Sequence, residues 1–465
     1  MLNYIPLFTA QQQNQYHIGN TTYKQRIAKL KRLKKAVSVT YRKALQEALY
    51  ADFKKPATEA DLTEIYPVVG EIKHVIAHLK QWMKDQHVGT PLALLGSSSY
   101  IKYEPKGVCL LISPWNFPVN LTLGPLISAI AAGNTVIIKP SEMTPNTSQV
   151  LGDIISDLFP ENEIALVQGE VETASALLQL PFNHIFFTGA PSIGKVVMKA
   201  AAQHLSSVTL ELGGKSPTIV DETAKIASSA RKIVWGKFVN NGQVCVAPDY
   251  ILVQENAKEK LIAALIKEIK AFYGANAAHS DSYCRIVNNR HFNRLNDHLN
   301  DALEQNATLV YGGERNAETN YIAPTLLTNI PEEATLLKDE IFGPILPIIS
   351  YTTTEEAIAY VNKGEKPLAL YIFSESDKTI NTILNNTRAG GSCINHNVIQ
   401  YANHNLPFGG SNNSGIGKSH GHFGFLEFSN MRSVVKQHIP GASEFLFPPY
   451  TSLKERLAKI TVKWL

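Results

Sequence analysis

Apolar residues recur at helical spacing in two stretches near the start of the chain. The first stripe consists of Ile27, Leu30, Leu33, Val37, Tyr41 and Leu45. The second stripe consists of Ile65, Val68, Val69, Ile72, Val75, Ile76 and Leu79. Because apolar positions three and four residues apart share one face of an α-helix, we predict helices from about residue 22 to residue 85. Thr58, followed by Asp61 three residues later, is predicted to cap the second helical stretch.

Short strand-like runs, of which 108–112 is continuously apolar, alternate with helical patterns through the next part of the chain. They cover residues 108–112, 135–138, 165–168, 185–187 and 208–212. Such runs are typical of strands that are buried on both faces of a parallel sheet. Their alternation with helices predicts a doubly wound α/β domain, whose ligands bind at the carboxyl ends of the strands. Helical patterns near 223–238, 256–273 and 290–305 predict a second α/β domain.

The stretch between the N-terminal helices and the first apolar run has a different pattern. Residues 86–105 are rich in Gly, Ser, Thr and Pro, and residues 100–104 then alternate between apolar and polar positions. This pattern predicts a loop followed by an edge strand. Since an exposed edge strand can pair with another chain, the stretch is a candidate contact between subunits.

The composition narrows the class of protein. A chain of 465 residues with 44% hydrophobic and 18% charged residues is typical of a globular enzyme with two or three domains. A net charge of +4 gives no reason to expect a nucleic-acid partner, and no apolar run predicts an integral membrane segment. Lysine and arginine residues lie between the apolar positions of the first stripe. They fit the solvated face of an amphipathic helix better than a transit peptide. The four cysteines form no Cys-x-x-Cys pair and fit free thiols in a cytoplasmic location.

Three separate segments carry side chains that suit attack on a carbonyl group. Cys245 offers a thiolate nucleophile, Glu211 a carboxylate that can take a proton from water, and Asn116 an amide that can stabilise an oxyanion. Each residue alone has an ordinary explanation, as a small buried hydrophobe, a surface carboxylate or a turn residue. The sequence around them favours the chemical interpretation.

The segment Gly-Gln-Val-Cys-Val-Ala-Pro-Asp-Tyr (242–250) resembles the active-site segment of the NAD(P)-dependent aldehyde dehydrogenase superfamily. It is closest to the class 3 branch, which acts on fatty and aromatic aldehydes. Six other segments follow the family's order, and the resemblance extends from about Thr22 to about Pro449. They are Pro-Trp-Asn-Phe-Pro (114–118), Lys-Pro-Ser-Glu (139–142), Phe-Thr-Gly-x4-Gly (187–194), Glu-Leu-Gly-Gly-Lys (211–215), Glu-Ile-Phe-Gly-Pro (340–344) and Leu-Pro-Phe-Gly-Gly (406–410).

The resemblance implies an α/β fold of the aldehyde dehydrogenase type, with two doubly wound α/β domains and a small β oligomerisation arm. A Rossmann-like cofactor-binding domain would comprise residues 1–85 and 105–211, and a catalytic domain would comprise 212–405. The arm would comprise 86–104 and about 420–440, and residues 441–465 would form a C-terminal tail. Class 3 relatives suggest a homodimer.

The resemblance also implies a reaction that converts an aldehyde to a carboxylic acid. Cys245 would form a thiohemiacetal, with the Asn116 amide and its own backbone N–H as oxyanion donors. After hydride transfer to NAD or NADP, Glu211 would activate the water that hydrolyses the thioester. The expected substrate is a medium- or long-chain aliphatic or aromatic aldehyde. Candidate walls of its tunnel are Tyr66, Trp115 and Phe408.

The implied cofactor site contains no metal ligand. Its residues are Trp115, Lys139, Glu142, Gly189, Gly194, Leu212, Glu340 and Phe342. Near the adenosine ribose, Glu142 would bind a 2′-hydroxyl whereas Lys139 would favour a 2′-phosphate, so the choice between NAD and NADP stays open. Gly189 and Gly194 would lie at the pyrophosphate, where Ala190 replaces the serine that is usual in the family.

Other functions fit the residues less well. An acylating dehydrogenase that uses coenzyme A would lack Glu211, and a non-catalytic relative would be expected to lack Cys245. A cysteine hydrolase would need a histidine in these motifs. The stretch after Gly189 nearly matches a phosphate-binding loop, but Val196 stands where that loop needs a hydroxyl for Mg²⁺. The remaining cysteines, predicted to be structural, are Cys109, Cys284 and Cys393.

Overall fold

The computed structural model describes residues 3–439 and 441–464. The two N-terminal stripes form helices as predicted. Their apolar residues face the core, where Leu30, Leu33, Val68 and Ile72 are fully buried. The helices of this region are Ile5–Gly19, Tyr23–Lys35, Arg42–Phe53, Ala57–Ala60 and Tyr66–Trp82, with π-helical turns at Ala36–Thr40 and Asp61–Ile65.

Two details of this region differ from the prediction. Helix Ala57–Ala60 follows Pro56, so Thr58 lies inside the helix and the prediction that it is a cap was wrong. Pro56 occupies the N-cap position with an extended ψ of 144°, and its ring fixes φ near the value of −59° that this entry into the helix uses. Helix Ile5–Gly19 was missed because its polar residues give no apolar stripe. One of them, Gln11, is fully buried and donates to a backbone carbonyl of the neighbouring sheet at 2.9 Å.

Six strands form a sheet that we call the first sheet. In spatial order they are Gly415–Ile416, Ser207–Leu212, His184–Gly189, Val108–Ile112, Thr135–Lys139 and Ile164–Leu166. Neighbouring strands are parallel except Gly415–Ile416, which is antiparallel to Ser207–Leu212. The strand order reverses between Val108–Ile112 and His184–Gly189. Such a reversal opens a crevice at the carboxyl ends of the two strands.

Helices cover both faces of the first sheet. Cys109 and Leu111 pack into one apolar core, whereas Val108, Leu110 and Ile112 pack into another. Alternate residues of a strand point to opposite faces, so this division shows that the strand is buried on both sides. The helices that follow the strands of this sheet are Asn120–Ala132, Pro145–Leu158, Val171–Leu177 and Pro191–Ala202.

Seven strands form the second sheet. In spatial order they are Thr308–Tyr311, Thr325–Thr328, Ile345–Tyr351, Tyr250–Gln254, Pro217–Val220, Ala369–Phe373 and Gly391–Ile394. Only Thr308–Tyr311 is antiparallel to its neighbour. The helices of this half are Ile226–Phe238, Lys258–Tyr273, Asn289–Glu304, Thr335–Lys338, Thr354–Lys363 and Asp377–Asn386, and a separate pair of short strands comprises Arg315–Asn316 and Tyr321–Ile322. The predicted α/β class is therefore confirmed.

Three antiparallel strands form a smaller sheet, which we call the arm sheet. They are Gln86–Val88, Ser97–Pro105 and Ser429–Gln437. Met431 and Val435 on the outer strand are 62% and 57% exposed. The predicted domain limits, and a role of the arm sheet in a homodimer, stay predictions.

The last helices are Gly421–Glu427 and Ser452–Trp464, and 3-10 turns occur at Leu92–Leu94, Val239–Gly242, Glu255–Ala257, Ala277–His279, Ile399–Ala402 and Ala442–Leu446. Within residues 3–439 and 441–464, no helix combines the length and apolar character that crossing a membrane requires.

Candidate active site

A cavity of about 660 Å³ is lined by residues from both halves of the chain. Eight of the eleven predicted site residues line it: Asn116, Trp115, Gly189, Glu211, Leu212, Cys245, Glu340 and Phe342. The candidate tunnel residues Tyr66 and Phe408 also line it, but Lys139, Glu142 and Gly194 do not. The fold thus brings the predicted nucleophile, amide and carboxylate to one cavity.

Cys245 follows a sharp turn at the end of helix Ile226–Phe238. Asn240, Asn241 and Gly242 have φ angles of 52°, 56° and 73°, so three consecutive residues lie in the left-handed region. Asparagine and glycine tolerate this region better than other residues do. The turn redirects the chain so that the cysteine reaches the cavity.

Buried hydrogen bonds from distant parts of the chain hold this turn. Glu59 Oε1 accepts from the Asn240 backbone N–H at 3.0 Å. Asn240 Nδ2 donates to the Asn116 carbonyl at 2.8 Å, and Gln243 Nε2 donates to the Arg285 carbonyl at 3.0 Å. The position of the cysteine therefore depends on tertiary contacts as well as on its own segment.

The surroundings of Cys245 favour the neutral thiol. Burial raises the pKa of the thiol to about 12, and the Glu340 and Glu211 carboxylates add to the rise. The backbone N–H groups of Cys245 and Val246 oppose it. Because the thiolate is the nucleophilic form, the proton must leave as the sulfur bonds to carbon.

Asn116 places an amide beside the cysteine segment. The residue is only 3% exposed, and its Nδ2 donates to the Gln243 carbonyl at 3.0 Å. A carboxamide nitrogen carries two hydrogens, so the second N–H can serve a ligand in the cavity. This is the arrangement that an oxyanion donor requires.

Glu211 lies in strand Ser207–Leu212 and is 6% exposed. Its Oε1 accepts a hydrogen bond from Ser419 Oγ at 3.0 Å, whereas Oε2 has no partner among the described residues. Burial raises the pKa of this carboxyl to about 8, and the Ser419 hydrogen bond and the Lys418 charge limit the rise. A carboxyl group with a pKa near neutrality can work as a general base.

Aromatic rings and a second carboxyl group form another part of the wall. The ring of Trp115 packs edge-on against Phe342, with centroids 5.4 Å apart, and lies 4.9 Å from His291. The Glu340 carboxylate lies so close to Gly213 that any side chain there would clash with it. Burial raises the pKa of Glu340 to about 8.

A helix N-terminus faces the cavity at the crevice of the first sheet. Strand His184–Gly189 leads into helix Pro191–Ala202, and Ala190 and Ser192 line the cavity at this junction. Ala190 occupies the N-cap position and makes no side-chain cap. The unpaired N–H groups of a helix N-terminus attract phosphate, so the junction fits a dinucleotide pyrophosphate.

The predicted cofactor residues outside the cavity have partners within the fold. Lys139, at the end of its strand, donates from Nζ to Glu142 Oε2 at 2.6 Å. Burial opposes ionisation of Glu142, but the hydrogen bond and charge of Lys139 lower its pKa below the ordinary value. A Cβ at Gly194 would lie 2.8 Å from Leu212 Cδ2, so glycine there permits close packing of helix on strand.

Comparison with known proteins identifies the family. The aldehyde dehydrogenase family profile matches residues 7–434. The chain is 45% identical over 421 residues to 4,4'-diaponeurosporen-aldehyde dehydrogenase of Staphylococcus aureus, covering 90% of this chain and 91% of the relative. It is 41% identical over 422 residues to aldehyde dehydrogenase family 3 member B1 of Rattus norvegicus, covering 90% and 89%. A solved structure, the substrate-bound state of Staphylococcus aureus AldH, matches with a TM-score of 0.95 and 42% identity, covering 99% of this chain and all of the other.

The chain belongs to the aldehyde dehydrogenase family. It is an NAD(P)-dependent aldehyde dehydrogenase that oxidises aldehydes to acids, and NAD or NADP is its cofactor. The predicted family, its class 3 likeness, the enzyme class and the cofactor are therefore confirmed.

The sequence did not predict one residue that contacts the Glu211 carboxylate of this aldehyde dehydrogenase. Ser419 donates to Glu211 from a position 208 residues away, in a glycine-rich stretch that predicts only a loop. No local signal identifies such a partner, because the contact exists only after the chain has folded.

A buried ion pair beneath the Asn116 loop was also missed. Lys55 Nζ lies 2.7 Å from Glu64 Oε1, and both side chains are fully buried. Glu64 Oε2 accepts from the backbone N–H groups of Val119 and Asn120 at 3.1 and 2.9 Å. Losing either charge would leave the other buried and unpaired, which typically costs about 3–5 kcal/mol.

The pH profile of this aldehyde dehydrogenase should report the raised pKa of Glu211. A carboxyl group is a base only when ionised, so thioester hydrolysis is expected to rise with pH through about 8 and then level off. Ser419→Ala removes a hydrogen bond that lowers this pKa, so the rising limb should move to higher pH. We expect a shift of up to about one unit, since such a bond contributes about 1.5 kcal/mol.

The measurement is the steady rate of NAD(P)H formation after the first turnover, from about pH 6 to about pH 10. Ser411→Ala is the matched control, because Ser411 lies in the same loop and makes no hydrogen bond to Glu211 among the described contacts. An equal profile for both variants would contradict the role of Ser419.

Proposed function

We propose that this enzyme oxidises medium- or long-chain aliphatic or aromatic aldehydes through a covalent intermediate on Cys245. The observation that carries the proposal is that Cys245, Asn116 and Glu211 line the same cavity. Apolar side chains form much of the remaining wall, including Tyr66, Leu121, Trp235, Val239, Tyr401 and Phe408. Such a wall favours a hydrocarbon tail over a polar one.

The proposed reaction begins when the Cys245 sulfur bonds to the aldehyde carbon. The thiol passes its proton to a water molecule in the cavity as the bond forms, and the carbonyl electron pair moves onto oxygen to give the oxyanion of a thiohemiacetal. The free N–H of the Asn116 amide and the Cys245 backbone N–H are the proposed donors to this oxygen. One such donor is typically worth about 10²–10³ in rate.

The cofactor supplies a hydride acceptor when it is bound. Trp115, Phe342 and Glu340 are proposed to hold the nicotinamide end, because all three line the cavity with Cys245. The N-terminus of helix Pro191–Ala202 is proposed to bind the pyrophosphate. Loss of the hydride from the thiohemiacetal carbon leaves a thioester on Cys245.

Glu211 is proposed to complete the reaction. Its carboxylate takes a proton from water as the water oxygen attacks the thioester carbon. The carbon–sulfur bond then breaks, the acid leaves, and the thiol regains a proton. A pKa of about 8 lets the same group release its proton before the next turnover.

A series of aldehydes tests the substrate class. We expect hexanal and benzaldehyde to give a higher kcat/KM than a short polar aldehyde, by at least about tenfold, since each buried CH₂ contributes about 0.8 kcal/mol. The measurement is NAD(P)H formation at saturating cofactor. Preference for the polar aldehyde would contradict the substrate class while leaving the reaction type unaffected.

The Lys139–Glu142 pair should set the preference between NAD and NADP. The ionised Glu142 is expected to repel a 2′-phosphate, so Glu142→Gln should lower the KM for NADP⁺ by about tenfold, equivalent to about 1.4 kcal/mol. The KM for NAD⁺ should not fall. Glu172→Gln, at an exposed carboxylate on helix Val171–Leu177, is the control. An equal fold-change in the KM for NAD⁺ and in the KM for NADP⁺ would show that Lys139 and Glu142 do not act at the adenosine ribose.

A further inference from the structure

Glu71, His404 and His420 form a cluster on the cavity wall that the proposed reaction does not use. One ligand atom from each residue lies within 4.8 Å of the other two. Glu71 is 5% exposed, and both histidines are half-buried. Glu71 lies in an N-terminal helix, far in the chain from the two histidines, so only folding brings the three together.

One side-chain atom of each of the three residues has an unusual property. Glu71 Oε2, His404 Nδ1 and His420 Nδ1 are all buried, and none has a hydrogen-bond partner among the described residues. His404 Nδ1 lies 2.8 Å from Glu71 Oε2, but the approach does not have the geometry of a hydrogen bond. Because buried polar atoms are nearly always satisfied, the ion pair of Glu71 and His404 and the unsatisfied His420 nitrogen on the neighbouring side chain together indicate room for a further partner.

The surrounding structure holds the three side chains in place. Glu71 Oε1 accepts from the Gly421 backbone N–H at 2.8 Å, which leaves Oε2 for another ligand. The backbone of His420 has a φ of 75°, a region that few residues other than glycine adopt. The ring of Tyr401 packs on His420 with centroids 4.3 Å apart, and His74 lies 5.5 Å from His404. A site whose ligands are held this way needs little rearrangement on binding.

We propose that Glu71, His404 and His420 bind a late first-row divalent cation, with Zn²⁺ as the best match. Two imidazoles and one carboxylate are a recurrent ligand set for zinc sites that keep an open fourth position. Imidazole nitrogen suits Zn²⁺, Co²⁺ and Ni²⁺, whereas Mg²⁺ and Ca²⁺ prefer oxygen ligands. Since all three residues line the cavity, the open position faces the space that holds the aldehyde.

The location gives the cation a means to regulate the enzyme. His420 follows Ser419, which donates to Glu211. A bound cation would therefore place positive charge in the cavity that Glu211 also lines and would occupy part of its space. We expect Zn²⁺ to reduce aldehyde turnover through this site.

Binding of Co²⁺ tests the site directly, because Co²⁺ absorbs visible light in a way that depends on its coordination. The titration uses the full chain carrying Cys245→Ser, which removes the cavity thiol as a competing ligand. We expect one Co²⁺ per chain, the absorption of a four-coordinate ion, and displacement by Zn²⁺. Glu71→Gln and, separately, His404→Asn should each weaken binding by at least about tenfold, since even partners behind the ligands contribute 10–100-fold.

His78→Gln is the matched control, since the His78 ring lies 4.4 Å from the His74 ring but contributes no ligand atom to the cluster. Its affinity for Co²⁺ should equal that of the parent. Absence of stoichiometric binding, or equal affinity in the parent and in both ligand variants, would overturn the proposal. The two ligand variants lie on different segments, so a folding defect in one leaves the other informative. Because binding is measured without turnover, this result is independent of the proposed catalytic roles.

Discussion

Cys245→Ala is expected to abolish aldehyde-dependent NAD(P)H formation, with a fall in kcat of at least about 10⁴-fold. Removal of a nucleophile from a well-studied serine protease costs about 10⁶ in kcat, so this is a conservative expectation. Alanine keeps the backbone N–H that is proposed to serve the oxyanion. A loss of NAD(P)H formation would therefore show that the sulfur atom itself is required.

The measurement is NAD(P)H absorbance with hexanal at saturating cofactor, together with a thermal unfolding curve for each variant. Cys393→Ala is the matched control, because Cys393 is a buried free thiol that does not line the cavity. It should retain turnover close to that of the parent. Comparable activity in the two variants would contradict covalent catalysis at Cys245.

Glu211→Gln is expected to arrest the enzyme after a single turnover. Glutamine has nearly the same shape and can still accept from Ser419, so attack and hydride transfer should proceed. It cannot take a proton from water, so the thioester should accumulate. We expect one equivalent of NAD(P)H per active site, followed by a steady rate about 10²–10⁴-fold below that of the parent.

Rapid-mixing absorbance measures the burst, and mass spectrometry of the intact chain detects the added acyl group. Glu427→Gln is the control, since Glu427 acts on Glu211 through its charge but does not line the cavity. That variant should keep multiple turnover. A slow, linear course without a burst in Glu211→Gln would show that the residue acts before thioester formation.

The residues that are proposed to react could be identified from the sequence because each lies in a short segment with its own pattern. Cys245 is preceded by the asparagines and glycine that the left-handed turn requires, and Glu211 ends a run of strand residues. The strand Val108–Ile112 has the predicted limits, since a continuous apolar run of that length is buried on both faces.

The supporting residues could not be predicted, because their contacts join distant segments. Ser419 reaches Glu211, and Lys55 pairs with Glu64 beneath the Asn116 loop, without any local pattern that marks these roles. The cluster of Glu71, His404 and His420 was likewise not predicted, since the sequence pointed to no metal ligand. Thr58 shows the reverse error, where a good local signal was overridden by the preceding proline.

The left-handed turn before Cys245 has a consequence for how the enzyme matures. Asn240 adopts its unfavourable backbone conformation while Glu59 and Asn116 bind it from elsewhere in the chain. The segment cannot gain these contacts until the two halves of the protein have docked. The Cys245 sulfur should consequently reach its position in the cavity late in folding. In nascent or partly unfolded chains this thiol would not react with aldehydes.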